Sequence, residues 1–118
     1  MTRGQLEAAI CTSITSFEKE HMGRGPKETR VYIIEDMVFV RLIGVLTPAE
    51  KQLAKSVQGA DLIKRSRVEL LESSRYLLEK IITDSTGLGV VSLHTDISTK
   101  TGERVIIFAL DGKMAFSD

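Results

Sequence analysis

The sequence predicts an α+β fold: a two-layer, four-stranded antiparallel sheet made of two β-hairpins, with about three helices on one face. Three observations lead there. Leu6, Ile10, Ile14 and Phe17 recur at helical spacing, and Ile63, Leu70, Leu71, Leu77, Leu78, Ile81 and Ile82 do so in a longer stretch. Two other segments, Val31 to Ile43 and Val90 to Asp111, read as strand, turn, strand. Helical and hairpin segments alternate along the chain in the order α-ββ-αα-ββ. Pairing the hairpins into one sheet under the helices is the simplest way to bury every apolar stripe.

The first helix carries its stripe from Leu6 to Phe17 and stops at the "HMGRGP" sequence, Gly23 and Pro26 being unsuited to continuing it. Val31 to Ile34 and Met37 to Ile43 are rich in β-branched and aromatic residues, and they flank Glu35 and Asp36 closely enough to form a hairpin. Thr47, Pro48 and Glu50 restart a helix. Threonine caps the open N–H groups, proline fits the first helical position, and glutamate reaches back to complete a capping box. Gly59 is expected to interrupt that helix, with Asp61 as the N-cap of the longer one. Gly87 suits a left-handed C-cap at its end.

In the last hairpin, Val91, Leu93 and Ile97 alternate with Ser92, His94, Asp96 and Ser98, so one side is apolar and the other polar. If Thr101 and Gly102 form a two-residue turn, Ile97 faces Ile106, Thr95 faces Phe108 and Leu93 faces Leu110. That register sets Ser98 opposite Val105, Asp96 opposite Ile107 and His94 opposite Ala109. A three-residue turn would reverse the partner strand's facing. In the first hairpin Val31, Ile33, Val38, Val40 and Leu42 fill one face, while Tyr32, Ile34, Met37 and Phe39 populate the other. One helical layer covers only one face of a sheet. The second face is therefore expected to be an interface, in a homodimer or with another partner, with Arg30 and Arg41 at its rim.

A length of 118 residues suits a single domain, 1–118, with a core of its own. The 16 basic and 16 acidic side chains cancel and are interspersed, which argues against nucleic acid as a partner. Cys11 is the only cysteine, so no intrachain disulfide forms and the expected compartment is the reducing cytoplasm. It lies beside the stripe of the first helix as a small packing residue. No apolar run approaches the roughly 20 residues that span a bilayer, and "MTRGQLEAAI" lacks the apolar core of a signal peptide. No direct membrane insertion is expected.

His94 with Asp96 and Ser92 invites a catalytic-triad reading. Residues two apart on a strand have Cα atoms roughly 7 Å apart, while serine needs its base in contact, and no nucleophile elbow or oxyanion loop accompanies them. No catalytic residue is assigned. His94 and Asp96, with His21, match no metal-ligand spacing, so no metal and no cofactor is expected. The "GRGP" loop, Gly23 to Pro26, follows a helix instead of opening one and so presents carbonyls, not N–H groups, to any phosphate. "TKTGER", Thr99 to Arg104, lacks the Walker spacing and reads as a turn. On the long helix Arg65 with Glu69 and Arg75 with Glu79 stand at i, i+4 on a solvated face.

The segments "MGRGP", "VYIIEDMVFVRL", "GVLTPAEKQLAKS" and "VVSLHTDISTKTGERVIIF", in that order and spacing, resemble the MpsC-like family from about Gly4 to Asp111. That family of small bacterial proteins takes its name from a sodium-translocating, membrane-potential-generating system whose membrane subunits resemble those of bicarbonate uptake systems. The resemblance implies a non-enzymatic accessory or regulatory role, cytoplasmic and peripheral to the membrane through a transporter subunit as partner. It supplies no catalytic residues. The expected interaction surface is Ser92, His94, Asp96 and Ser98, with Arg24, Arg41 and Arg104 as secondary members. A histidine in that surface would make the contact pH-sensitive. The rival reading is a small-molecule sensor holding an anion or nucleotide between the glycine loops and the hairpin, near Arg24.

Overall fold

The computed structural model describes residues 1–117. Its elements are α1 (Arg3–His21), β1 (Glu28–Ile34), β2 (Met37–Ile43), α2 (Pro48–Leu53), α3 (Val57–Thr86), β3 (Val90–Ile97) and β4 (Arg104–Leu110). The four strands form one antiparallel sheet in the order β1-β2-β4-β3, so the two hairpins meet through β2 and β4. The expected α+β arrangement is the one observed.

The apolar alternation decides which face is covered. Val31 and Ile33, Val38, Val40 and Leu42, Leu93 and Ile97, and Ile106, Phe108 and Leu110 are all buried. They meet Leu6, Ile10, Ile14 and Phe17 from α1 and Ile63, Leu71, Leu78 and Ile82 from α3 in one core cluster. Helix α3, 30 residues long, extends about 45 Å at 1.5 Å per residue and accounts for the 48 Å long axis of the molecule.

Helix α1 also guards one edge of the sheet. Glu7 Oε2 accepts the Ile33 N–H at 2.9 Å, Cys11 Sγ donates to the Thr29 carbonyl at 3.4 Å, and the Thr15 and Thr29 hydroxyls are 3.0 Å apart. Polar side chains thus occupy backbone groups that an unprotected edge would offer to another strand. Cys11 is half-buried and serves this edge in addition to packing. The opposite edge, β3, carries a bulge between Val90 and Ser92, and the extra residue, Val91, is exposed instead of sharing the apolar face with Leu93.

The capping box at Thr47 forms as its residues require: the Thr47 hydroxyl accepts the Glu50 N–H at 3.1 Å, and Glu50 Oε1 accepts the Thr47 N–H at 3.0 Å. Gly87 ends α3 at φ 76°, a left-handed conformation that residues with a Cβ adopt only under strain. The break between α2 and α3 lies earlier than Gly59. Ser56 is the N-cap of α3, its hydroxyl accepting the Gly59 N–H at 2.9 Å, while Asp61 lies inside the helix and pairs with Arg65 at 3.0 Å. Arg65 therefore takes Asp61 where Glu69 was expected. The other expected pair, Arg75 with Glu79, forms at 3.2 Å.

The last hairpin has a longer loop than the two-residue turn expected at Thr101 and Gly102. Ile97 pairs with Arg104, Thr95 with Ile106 and Leu93 with Phe108. Residues 98–103 make the loop, closed by the Ser98 N–H to Glu103 carbonyl bond at 2.8 Å, with Gly102 at φ 75°. The slip is two residues, an even number, so from Ser92 to Ile97 every side chain keeps its face although each partner changes.

Gly59 permits a close crossing at the α2–α3 corner, since a Cβ there would stand 1.9 Å from the Leu53 carbonyl oxygen. Alanine favours a helix over glycine by about 1 kcal/mol, but overpacking against backbone costs about 1–3 kcal/mol. Urea unfolding of Gly59→Ala is expected to show a net loss of stability. A variant as stable as the parent would contradict this geometry.

Candidate functional site

The sheet presents two chemically distinct regions: an uncovered outer face and a charged cluster buried beneath the inner one. Antiparallel pairing places Ile34, Met37, Ala109 and Ser92 in one row across the outer face, and Tyr32, Phe39, Ile107 and His94 in the next. A third row holds Arg30, Arg41, Val105 and Asp96. Tyr32 is 42% exposed, Ile34 52% and Met37 38%, so these rows carry apolar side chains open to solvent. The Tyr32 and Phe39 rings lie 6.4 Å apart, tilted. Arg41 Nε donates to Glu103 Oε2 at 2.6 Å, and Arg30 Nε to Glu28 Oε1 at 2.8 Å, so charged pairs border the apolar belt.

The residues singled out from sequence divide between the two regions. Ser92, His94 and Asp96 share the outer face of β3 with Arg41 two strands away. Ser98 lies past the end of β3, where its hydroxyl accepts the Thr101 N–H at 3.2 Å. Arg24 sits in the loop after α1, half-buried, with Nη2 donating to the Gly44 carbonyl at 3.2 Å. It ties the loop to the end of β2 and does not join the β3 surface. Arg104 is only 2% exposed and cannot belong to an interaction surface. The same period of two that buries Ile106, Phe108 and Leu110 turns Arg104 inward.

Ser92 and His94 are closer than strand spacing suggested. Their Oγ and Nε2 atoms are 3.1 Å apart, because the imidazole leans along the strand and spans the interval between the two Cα positions. The rest of a triad is not assembled around them. Asp96 Oδ1 accepts its neighbour's N–H, from Ile97, at 2.8 Å and faces Lys64 Nζ at 3.4 Å. Among the described residues no group of three His, Cys, Asp or Glu side chains converges as a metal site.

The buried cluster escaped the sequence reading. Glu18 of α1 and Arg104 of β4, 1% and 2% exposed, face each other with Oε1 and Nη1 3.2 Å apart. Arg67 of α3 grips Glu50 with two hydrogen bonds, Nε to Oε2 at 3.0 Å and Nη2 to Oε1 at 2.7 Å, and donates to the Val45 carbonyl at 2.9 Å. A signal for it lay in the periodicity. Glu18 continues the Ile10, Ile14 series at four-residue intervals, Arg67 stands midway between Ile63 and Leu71, and Arg104 keeps step with Ile106. Each charge occupies a position that its element directs inward.

Burial pushes the Glu18 carboxyl above its ordinary value, against the pull of the Arg104 and Arg67 guanidiniums. Burial also pushes the Arg104 guanidinium down, opposed by Glu18 and reinforced by Arg67. At Glu50 burial acts upward too, but the hydrogen bonds from Arg67 and the Thr47 backbone outweigh it and hold the carboxyl below its ordinary value.

Residues 2–112 match the model of a family described as "Na+-translocating membrane potential-generating system (MpsC)". The chain is 45% identical over 109 residues to "Uncharacterized protein YbcI" of Bacillus subtilis (strain 168), covering 92% of this chain and 88% of that one. It is 26% identical over 103 residues to "Uncharacterized protein YrhF" of the same organism, covering 86% and 84%. No solved structure matches.

The two carboxyls give stability opposite slopes on either side of 4.5, their common ordinary value. Above it, the unfolded chain releases the Glu18 proton that the native state retains, so stability falls as pH rises through the raised native value. Below it, the unfolded chain protonates Glu50 before the native state does, so stability falls as pH drops through the depressed native value. Urea unfolding across pH should show Glu18→Gln flattening the upper limb alone and Glu50→Gln the lower limb alone. Unchanged limbs in both variants would refute these assignments.

Proposed function

Since this chain belongs to the MpsC family, we propose that it is a non-enzymatic accessory or regulatory protein of a Na+-translocating, membrane-potential-generating complex, docking through its outer sheet face. The proposal extends to a cytoplasmic location and to bicarbonate as a co-transported ion of that complex. One observation carries the reading: the belt of Tyr32, Ile34, Met37, Phe39 and Ile107, left uncovered while α1 and α3 pack on the other side. Among the described residues no helix is long and apolar enough to cross a membrane, and in this proposal a membrane-embedded partner supplies the span. A flat apolar belt edged by Arg30, Arg41, Glu103 and Asp96 has the anatomy of a protein interface, with an apolar centre and a charged rim.

The charged rim sets orientation more than affinity, because exposed ion pairs contribute little. The belt supplies the affinity by burial, at about 25 cal/mol per Å² before the costs of association. Ser92 and His94, bonded to each other at the belt's edge, contribute polar contact, not catalysis. The same face is also proposed to close a homodimer when the membrane partner is absent.

Affinity capture from native membranes in mild detergent tests this with the parent and an Ile34→Lys, Met37→Lys variant, both positions being exposed enough to take lysine without unfolding. An integral membrane subunit of an ion-translocating complex should be recovered with the parent and fall at least about tenfold with the variant, equivalent to about 1.4 kcal/mol. Equal recovery with both proteins, or recovery of this chain alone, would overturn the proposal.

A further inference from the structure

The two edges of the sheet are protected to different degrees. Along β1, Glu7 and Cys11 of α1 occupy the Ile33 N–H and the Thr29 carbonyl, and Thr15 meets the Thr29 hydroxyl. At β3, which pairs only with β4, the only side-chain guard among the described residues is Asp96, whose Oδ1 accepts the Ile97 N–H at 2.8 Å. The Ser98 N–H bonds to the Glu103 carbonyl, so by antiparallel alternation Ser92, His94 and Asp96 spend their backbone groups on β4. Leu93, Thr95 and Ile97 therefore aim theirs away from the sheet. The bulge ends this regular stretch at Ser92 and the loop ends it at Ser98, which leaves Thr95 at its centre.

An open edge is a template for another strand, and the order of its side chains selects which one. The segment "SLHTDIS", residues 92–98, is complementary to itself about Thr95. Laid antiparallel against its own copy, it sets serine against serine, leucine against isoleucine and imidazole against carboxylate. Such self-complementarity is what a two-fold contact between identical chains requires.

We propose that β3 pairs antiparallel with β3 of a second copy, about a two-fold axis at Thr95, joining the two four-stranded sheets into one. Thr95 then exchanges both backbone bonds with its own copy, and Leu93 does the same with Ile97 of the second copy. Leu93 and Ile97 are buried on the inner face, so the two cores meet edge to edge. On the outer face His94 stands opposite Asp96. To reach that imidazole Asp96 leaves the Ile97 N–H and Lys64 Nζ, 3.4 Å away, and the Ile97 N–H gains a carbonyl instead. Centring the pair on His94 or on Asp96 would set imidazole against imidazole or carboxylate against carboxylate and lose the complementary pairs. Val68 of α3, 53% exposed, borders Thr95 and Ile97 in a small cleft at this edge, and a second copy seated on β3 covers it. The outer belts of both copies stay open on one side of the joined sheet, so docking and edge pairing are lost through different substitutions.

Sedimentation equilibrium of the whole chain tests the pairing. The Ile34→Lys, Met37→Lys variant, with its outer face disabled, should still dimerise. Adding Asp96→Lys should weaken that dimer at least about tenfold, because the two-fold counts each unfavourable pair twice. Adding His94→Asp as well restores the opposite charges in reverse order and should recover most of the loss. Both positions are exposed, so the fold persists, as circular dichroism would verify. Register is read by oxidation with Cys11→Ser in every chain. A mixture of His94→Cys and Asp96→Cys chains should form a disulfide-linked heterodimer, since directly opposed residues are close enough to bridge, whereas either chain alone should cross-link far more slowly. A monomeric Ile34→Lys, Met37→Lys variant, a dimer indifferent to Asp96→Lys, or cross-linking no faster in the mixture than in either chain alone would overturn the proposal.

Discussion

The approach of Glu18 to Arg104, with Arg67 and Glu50 beside it, is the constraint on which the arrangement of this molecule depends. The four side chains come from α1, β4, α3 and α2, so each element carries one member of a cluster whose opposite charges face one another in only one relative placement. Hydrophobic burial brings these elements together without specifying register or direction, because apolar contact is tolerant of sliding. A buried charge is not tolerant. Leaving Glu18 or Arg104 without its partner costs about 3–5 kcal/mol, a large share of a domain's net stability of about 5–15 kcal/mol.

The cluster also explains the division of labour between the two faces. Arg67 holds the Val45 carbonyl, the Val45 N–H donates to the Gly102 carbonyl, and Gly102 lies in the loop that delivers Arg104 into β4. The connection after β2 and the loop before β4 are thereby fixed to the helical side. That leaves the outer face with no structural duty. Its aromatic and aliphatic belt is positioned by the same strands whose inner residues are locked, and in the proposed docking role such fixed placement lowers the entropic cost of association.

Much of this was legible in the sequence, for local reasons. The first helix, both hairpins, the Thr47 capping box and the Gly87 C-cap rest on interactions within a few residues, which spacing alone reports. The last hairpin's facing was legible but its register was not: alternation sets which side of the sheet a residue occupies, whereas loop length sets its partner, and Thr101 and Gly102 looked sufficient for a turn that in fact takes residues 98–103. Gly59 misled as a breaker because a glycine tolerated for close approach looks the same in sequence as one that ends a helix. By its charge Arg104 reads as a surface residue, but by its position it points inward. Its place in the inward alternation, like that of Glu18 and Arg67 in their helical stripes, was the stronger signal. Ser92 and His94 meet because a side chain's reach is not bounded by Cα spacing.

The most direct test of the account is a double-mutant cycle on the buried pair, using Glu18→Leu, Arg104→Met and the combination, with stability measured by urea unfolding. If the pair fixes the fold, each single change strands a buried charge and is severely destabilising, while the double variant recovers most of the loss, giving a coupling energy of about 2 kcal/mol or more. Losses that simply add would contradict it, and would mean that Glu18 and Arg104 are held in place by the fold without holding it.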